Sequence, residues 1–324
     1  MDKRSGLILS LDTSNYTTSL AVVDKGYNVI VDRRNILEVK PGERGLRQSN
    51  ALFQHIRNLP SMIEEILSII KAEKIIGIAV SNRPRPMLDS YMPVFNAGIS
   101  FGRVLAAGLG IPLLQFSHQE GHLAAAAYGS TFDINDSFLA FHLSGGTCEL
   151  LSANMARGKI EKIGRSKDIS FGQLIDRVGV AMGMDFPAGK EMDKLALKHQ
   201  VLNHQDRMKF LTQIPFNGLD VNLSGLETQA MRLLDTGKDN NEQLCYNLFC
   251  LVSACTIKWT EKAVSETGGN KVLFAGGVVA SEFLRKSIRN YFIDHNICIE
   301  FAQPWLSTDN AVGIGLLGGK TLWQ

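Results

Sequence analysis

The chain has 324 residues, 45% of them apolar and 20% charged, with 30 glycines against 9 prolines. That length supports two cores, and the composition excludes a disordered scaffold or a proline-rich linker protein. A formal charge of +2 neither demands nor forbids nucleic acid as a partner, so such a contact needs a local basic patch.

Taken in chain order, apolar runs at 7–11, 19–23 and 27–31 predict three strands, the first ending at Asp12-Thr13-Ser14. A helix is expected over 50–70, bent at Pro60 because proline lacks the amide donor. Next come a strand at 75–80, a helix at 97–109 and a strand at 113–116 that feeds into Ser117-His118-Gln119-Glu120-Gly121-His122. The pattern then restarts, with strands at 138–143, 149–153 and 160–164. Helices are predicted at 171–182, 190–198 and 242–266, then a strand at 272–275, a helix at 283–291 and a last strand at 297–301. Asp309 opens a short apolar terminal helix, about 309–321. The Gly/Ser/Thr/Asp/Asn run at 129–136 marks the boundary between an N-terminal lobe, 1–132, and a C-terminal lobe, 133–324, with the terminal helix packing back on the first lobe. Both halves begin strand, polar turn, strand, strand. A duplication of this kind predicts two similar domains facing a cleft, each presenting a turn to one phosphate.

The five cysteines, Cys148, Cys245, Cys250, Cys255 and Cys298, form no CxxC. Cys245, Cys250 and Cys255 fall about 140° apart around a helix and cannot all face one metal, so they read as buried small residues of a reducing compartment. The N-terminus, Met1-Asp2-Lys3-Arg4, leads into a short strand and no 18-residue apolar run occurs. A cytoplasmic protein with no membrane span is expected.

His118 and His122 share one helix face at i,i+4 spacing. Two imidazoles and a carboxylate suit zinc or ferrous iron with open positions, and an aspartate from the late Ser307-Thr308-Asp309-Asn310 cluster completes the set only if the fold joins both ends of the chain. The plain alternative is a histidine pair at a helix start capped by Ser117. Glu120 lies off the shared face, so this is not the HExxH arrangement. Ser144-Gly145-Gly146-Thr147 after one strand, and Gly276-Gly277 between a strand and a helix, read either as ordinary turns or as places where amides converge on an anion. Neither is a Walker loop or a GxGxxG fingerprint. Asp176, and more weakly Asp193, are surface acids or acceptors for ribose hydroxyls. Arg83-Pro84-Arg85-Pro86, with Arg33, Arg34, Arg44 and Arg47, makes the first half locally basic, as solvated loops or as a site for RNA or a phosphorylated partner.

These segments together resemble the TsaD family, formerly Gcp or O-sialoglycoprotein endopeptidase, as a divergent member or paralogue. The resemblance rests on Asp12-Thr13-Ser14, Ser117 through His122, Ser144-Gly145-Gly146, Gly172 with Asp176, and Gly183 through Gly189. It continues through Leu223-Ser224-Gly225-Leu226, Ala275-Gly276-Gly277-Val278 and Ser307-Thr308-Asp309-Asn310. It implies an α/β, actin/hexokinase/Hsp70-like (ASKHA) duplicated fold with two lobes around a nucleotide cleft. One divalent ion, Fe or Zn, would sit on His118, His122 and Asp309, which would be the catalytic centre. ATP, AMP or an acyl-adenylate, with Mg as a further ion, would meet Gly145, Gly146, Asp176, Gly189, Asp193, Gly276 and Gly277. The implied reaction moves a threonylcarbamoyl group from its adenylate to the adenosine beside the anticodon of tRNA, with TsaB-like and TsaE-like partners and a dimer as an option. The alternatives are a carbamoyltransferase acting on a small molecule and a non-catalytic nucleotide-binding assembly protein.

The sequence also departs from the family. Where the family reads E-T-S-C-D-E-T, this chain reads Asp12-Thr13-Ser14-Asn15-Tyr16-Thr17-Thr18. Thr147 replaces the histidine of SGGH, and the A-G-P-G loop becomes Ser81 through Pro86. Ser281 stands for the asparagine after AGGV-x-A, and Ala188-Gly189-Lys190 stands for G-G-P.

Overall fold

A computed structural model describes residues 6–14, 16–39, 46–87, 89–133, 135–202, 215–237 and 239–323. Met1 through Arg4, Asn15 and Arg44, singled out above, lie outside the described residues. The chain divides into two compact units, Met1–Asn135 with Met155–Lys159 and Trp305–Gln324, and Asp136–Asn154 with Ile160–Pro304.

The first unit is built from β1 (Leu7–Asp12), β2 (Thr17–Asp24), β3 (Val29–Ile36), α1 (Gln48–Ile69), β4 (Ile75–Arg83), α2 (Phe95–Leu109), β5 (Leu113–Ser117) and α3 (His118–Ala127). Its sheet runs β3-β2-β1-β4-β5, antiparallel through the first three strands and parallel through β1, β4 and β5. Strand alternation sorts the two faces of β1. Leu9 and Leu11 join Val22, Ile78 and Val80 under Leu59, Ile63 and Ile66 of α1, while Ile8 packs on the opposite side with Ala79 and Ile314. Ser10 and Asp12 share that second face. α1 runs through Pro60, whose missing amide leaves the Ile56 carbonyl without its usual i+4 donor.

The second unit contains β6 (Ser137–Leu143), β7 (Cys148–Asn154), β8 (Lys159–Arg165), α4 (Phe171–Ala181), α5 (Gly189–Leu202), β9 (Phe216–Asn217), β10 (Asp220–Val221), α6 (Ser224–Asp235), α7 (Asn241–Thr267), β11 (Lys271–Ala275), α8 (Glu282–Phe292) and β12 (Cys298–Phe301). Its sheet order, β12-β11-β6-β7-β8, repeats the first when read from the other end, and β6, β11 and β12 are again parallel. The duplicated topology expected from the restarting pattern is therefore present. The helix α6 and the β9–β10 hairpin were not among the predicted elements. Cys245, Cys250 and Cys255 are buried in α7, and burial pushes the Cys245 thiol up to about 12 and the Cys250 thiol up to about 11. These are packing residues rather than nucleophiles.

The last helix, α9 (Val312–Trp323), belongs to the first unit. It lies against β1, β2, β4 and α3. Gly313, Gly315, Gly318 and Gly319 lie along it, and a Cβ at Gly313 would overlap the Gly121 carbonyl in α3. Among the described residues, no helix is long and apolar enough to cross a membrane.

Candidate metal centre

In a parallel α/β sheet, ligands gather beyond the carboxyl ends of the strands. In the first unit, β1 ends in Asp12, β4 carries Ser81 near its end, and β5 ends in Ser117, directly before His118. Ser117 caps α3: its side chain accepts from the Glu120 amide at 3.2 Å, and Glu120 Oε2 accepts from the Ser117 amide at 2.7 Å. The cap commits Glu120 to the helix start and leaves His118 and His122 projecting from the first turn and a half, their rings 4.2 Å apart and nearly perpendicular.

Asp309 reaches this pair from the other end of the chain. Its Oδ1 lies 3.2 Å from His122 Nε2 and 3.5 Å from His118 Nε2. One ligand atom from each of the three residues falls within 4.8 Å of the others. A tetrahedral ion with bonds of about 2.0–2.1 Å holds its ligands roughly 3.3 Å apart, which the two Asp309 separations fit, so the three residues form a candidate site for a metal ion. The three side chains remain 18%, 24% and 19% exposed, which leaves a face for water or substrate.

Asp12 is the residue that the spacing argument missed. Its Oδ2 lies 2.8 Å from His118 Nδ1, and its Oδ1 accepts from Ser81 Oγ at 2.6 Å and from the Ser14 amide at 3.0 Å. The carboxylate thus keeps a proton on His118 Nδ1 and points Nε2 toward Asp309, so that the neutral ring would offer its Nε2 lone pair to an ion, an arrangement common behind metal-bound histidines. Burial by itself would raise the Asp12 carboxyl, yet the neighbouring His118 outweighs it and keeps Asp12 below the usual carboxylate range. Burial likewise pulls His118 down, but Asp12 and Asp309 push it up to about 10. Asp309 is held well below the usual range by both imidazoles, against the effect of burial.

A proton balance follows. With no ion bound, His118 is protonated at neutral pH, and coordination through Nε2 requires the neutral ring. Zinc binding at pH 7.5 is expected to release close to one proton per ion, and affinity should rise between pH 6 and 9. Calorimetry in buffers of different ionisation enthalpy measures the proton count, and a count near zero would contradict it.

The segment carrying Asp309 is fixed on both sides. Asn310 Oδ1 accepts from the Val312 amide at 3.1 Å, and its Nδ2 donates to the carbonyls of Leu306 at 3.2 Å and Thr308 at 2.8 Å. Ser10 Oγ donates to the Ala311 carbonyl, and Ser19 Oγ accepts from the Ala311 amide, both at 2.8 Å.

The glycines and acids expected to meet a nucleotide lie in the second unit. Ser144 and Thr147 close the β6–β7 hairpin, with the Ser144 amide donating to the Thr147 carbonyl at 2.9 Å. A Cβ at Gly145 or Gly146 would meet nothing within 4 Å. Gly276 follows β11 with φ of 99° and lies so close to the Leu143 carbonyl that no side chain fits, whereas space is open at Gly277. Asp176 Oδ1 accepts from the Ala188 amide at 2.9 Å, one residue before Gly189. Both Asp193 oxygens serve the start of α8, accepting from Ser281 Oγ and from the amides of Glu282 at 3.0 Å and Phe283 at 3.2 Å. Of the departures from the family pattern, Tyr16 offers its carbonyl to the Leu37 amide, Thr17 opens β2, and Thr147 belongs to the hairpin turn.

Two sheets of matching order with parallel cores define an actin/hexokinase/Hsp70-like protein. Full-length HypF, in its phosphate- and nucleotide-bound crystal form, is similar with a TM-score of 0.61 at 13% identity over 99% of this chain, which spans 56% of that one. At that identity the likeness concerns the fold alone. Residues 36–316 match the family described as TsaD, tRNA N6-adenosine threonylcarbamoyltransferase, and the chain belongs to that family. The tRNA N6-adenosine threonylcarbamoyltransferase of Neorickettsia sennetsu is 27% identical over 95% of this chain and 91% of its own length. That of Thermofilum pendens is 24% identical over 96% and 88%.

Proposed function

We propose that this protein transfers a threonylcarbamoyl group from its adenylate to the exocyclic amine of the adenosine beside the anticodon of tRNA. Membership of the TsaD family supports the reaction, and the convergence of His118, His122 and Asp309 is the observation that carries it. When bound there, a zinc or ferrous ion supplies Lewis-acid polarisation of the carbonyl and phosphoryl oxygens of the mixed anhydride. This chain's residues supply the rest. Asp12 orients His118, Asp309 neutralises charge between the two rings, and the exposed side of the triad admits the acyl donor.

In the same reading the amides of Gly145, Gly146, Gly276 and Gly277 face the phosphate and nucleoside of the adenylate. Gly189 lines the nucleoside, and the second oxygen of Asp176 accepts from the ribose. Asp193 acts by fixing Ser281 and the start of α8. ATP or AMP would occupy the same residues, with TsaB-like and TsaE-like proteins as partners.

A second reading, transfer to a small-molecule acceptor, is favoured by one observation. The Pro84 carbonyl accepts from the Gln119 amide at 3.0 Å, so the Arg83–Pro86 loop abuts the start of the metal-site helix, where it would shape an acceptor pocket. The test is direct. Zinc- or iron-loaded protein is incubated with threonylcarbamoyl-adenylate, the partner proteins and unmodified tRNA, and nucleosides are read by mass spectrometry. Threonylcarbamoyladenosine in the tRNA supports the first reading. Adenylate consumption with no modified tRNA overturns it and points to another acceptor.

A further inference from the structure

Arg34 sits on β3, far from the histidines in sequence, with its side chain 19% exposed. Asp32 grips one edge of its guanidinium, with Nε to Oδ1 at 3.2 Å and Nη2 to Oδ2 at 2.7 Å. That two-point pairing sets the plane of the fork and turns the remaining nitrogen, Nη1, to a single direction. Nη1 donates to the Trp305 carbonyl at 2.8 Å and to Thr308 Oγ1 at 2.9 Å, and the guanidinium carbon lies 5.9 Å from the centre of the Trp305 ring. Both acceptors belong to the segment that runs into Asp309.

The two flanks of Asp309 are held differently. Downstream, Ala311 is tied to Ser10 and Ser19 on the sheet itself. Upstream, the Asn310 bonds to Leu306 and Thr308 stay within the segment and give it shape without tying it to the sheet. There Leu306 is buried and the Trp305 ring meets Tyr128 edge-on, while the Arg34 fork ties the flank to β3 through two hydrogen bonds. We infer that Arg34, set by Asp32, is a positioning residue for the metal centre, holding the segment before Asp309 so that the carboxylate meets both Nε2 atoms.

A carboxylate that must bridge two imidazole nitrogens tolerates displacements of a few tenths of an ångström, so releasing one flank widens its excursions and weakens the site. The inference rests on the metal reading, and its test separates the two. Zinc affinity is measured by chelator competition, and the cobalt-substituted protein is examined by its visible ligand-field spectrum. The variants are Arg34→Gln, Arg34→Lys, Thr308→Val and Thr308→Ser, with Asp309→Ala as reference.

Arg34→Gln and Thr308→Val are expected to weaken zinc binding about tenfold and to alter the cobalt spectrum, as loss of supporting interactions around ligands does. Thr308→Ser, which keeps the hydroxyl, should restore both. Arg34→Lys should not, because a lysine ammonium cannot hold Asp32 in a fork while donating to both acceptors. Thr308 is exposed, so its variants report even if Arg34→Gln folds poorly. Wild-type affinity and spectrum in Thr308→Val, alongside lost zinc in Asp309→Ala, would overturn the role of Arg34 and leave the metal centre standing. Unchanged zinc binding in Asp309→Ala would overturn the metal centre and this inference with it.

Discussion

The Asp309→Ala protein is expected to fold and to bind zinc or ferrous iron at least roughly 100-fold more weakly than the parent chain, since loss of outer supporting groups alone costs about 10–100-fold. The reason lies in the geometry. Asp309 Oδ1 is the atom that both Nε2 groups approach, at 3.2 and 3.5 Å, so its removal deletes the only anionic donor of the set. The remaining histidine pair still binds, but as a two-nitrogen site without charge neutralisation. Stability should fall by about 1–2 kcal/mol in the metal-free form, the cost of losing partly exposed bonds to charged groups. His118→Ala should match the metal loss. Asp12→Asn is the more discriminating variant, because it keeps every ligand and removes only the charge that turns His118. Its affinity should fall about 10–100-fold. Elemental analysis after dialysis against a chelator, with thermal melts in parallel, measures both quantities. Stoichiometric metal retained by Asp309→Ala would remove the site from consideration.

How much of this site the sequence discloses depends on how local each part is. The histidine pair is legible because i,i+4 spacing on a helix is a local fact, and so is the Ser117 cap, confirmed by the reciprocal bonds with Glu120. Asp309 is not legible by spacing, since its place depends on α9 returning to β1 and α3, which only the family resemblance anticipated. Asp12 is harder still. The turn after β1 was visible, but its carboxylate meets His118 only because β1, β4 and β5 are neighbours in that order. Sheet order is a property of the whole unit and leaves no mark in the local sequence.

The elements show the same division. Strongly apolar runs mark their elements in the sequence, whereas α6 carries little local signal, because Ser224-Gly225 opens it with poor helix formers and only Leu226 and Ala230 are buried within it. The acid Asp193 is a further case. Its residue type allows a surface acid or a ribose acceptor, and the structure adds a local use, its oxygens receiving the first amides of α8. A carboxylate near a helix start has that use available without any ligand.

Gly313→Ala is expected to damage the protein more than any ligand substitution. A Cβ there would overlap the Gly121 carbonyl and crowd the Ala125 amide, both backbone atoms of α3, so no rotamer change relieves it. The helices must separate, and with them the buried contacts that Ala125, Val312 and Leu316 make beside Ala21 and Val23. Overpacking of this kind costs typically 1–3 kcal/mol, and an unyielding backbone contact puts the expected loss at about 3 kcal/mol. The consequence reaches the chemistry. Gly121 lies between His118 and His122, and Gly313 lies just after Asp309, so the contact that must open is the one that sets the distance between the ligands. Metal affinity should therefore fall together with stability, although no ligand is changed. Gly108→Ala is the control: it lies on the exposed side of α2 with open space at the Cβ position, and should stabilise by about 0.5–1 kcal/mol without touching metal binding. Denaturant melts paired with zinc titrations on the two variants test the coupling. A Gly313→Ala protein that melts early but binds zinc as tightly as the parent would show that helix packing and ligand spacing are independent.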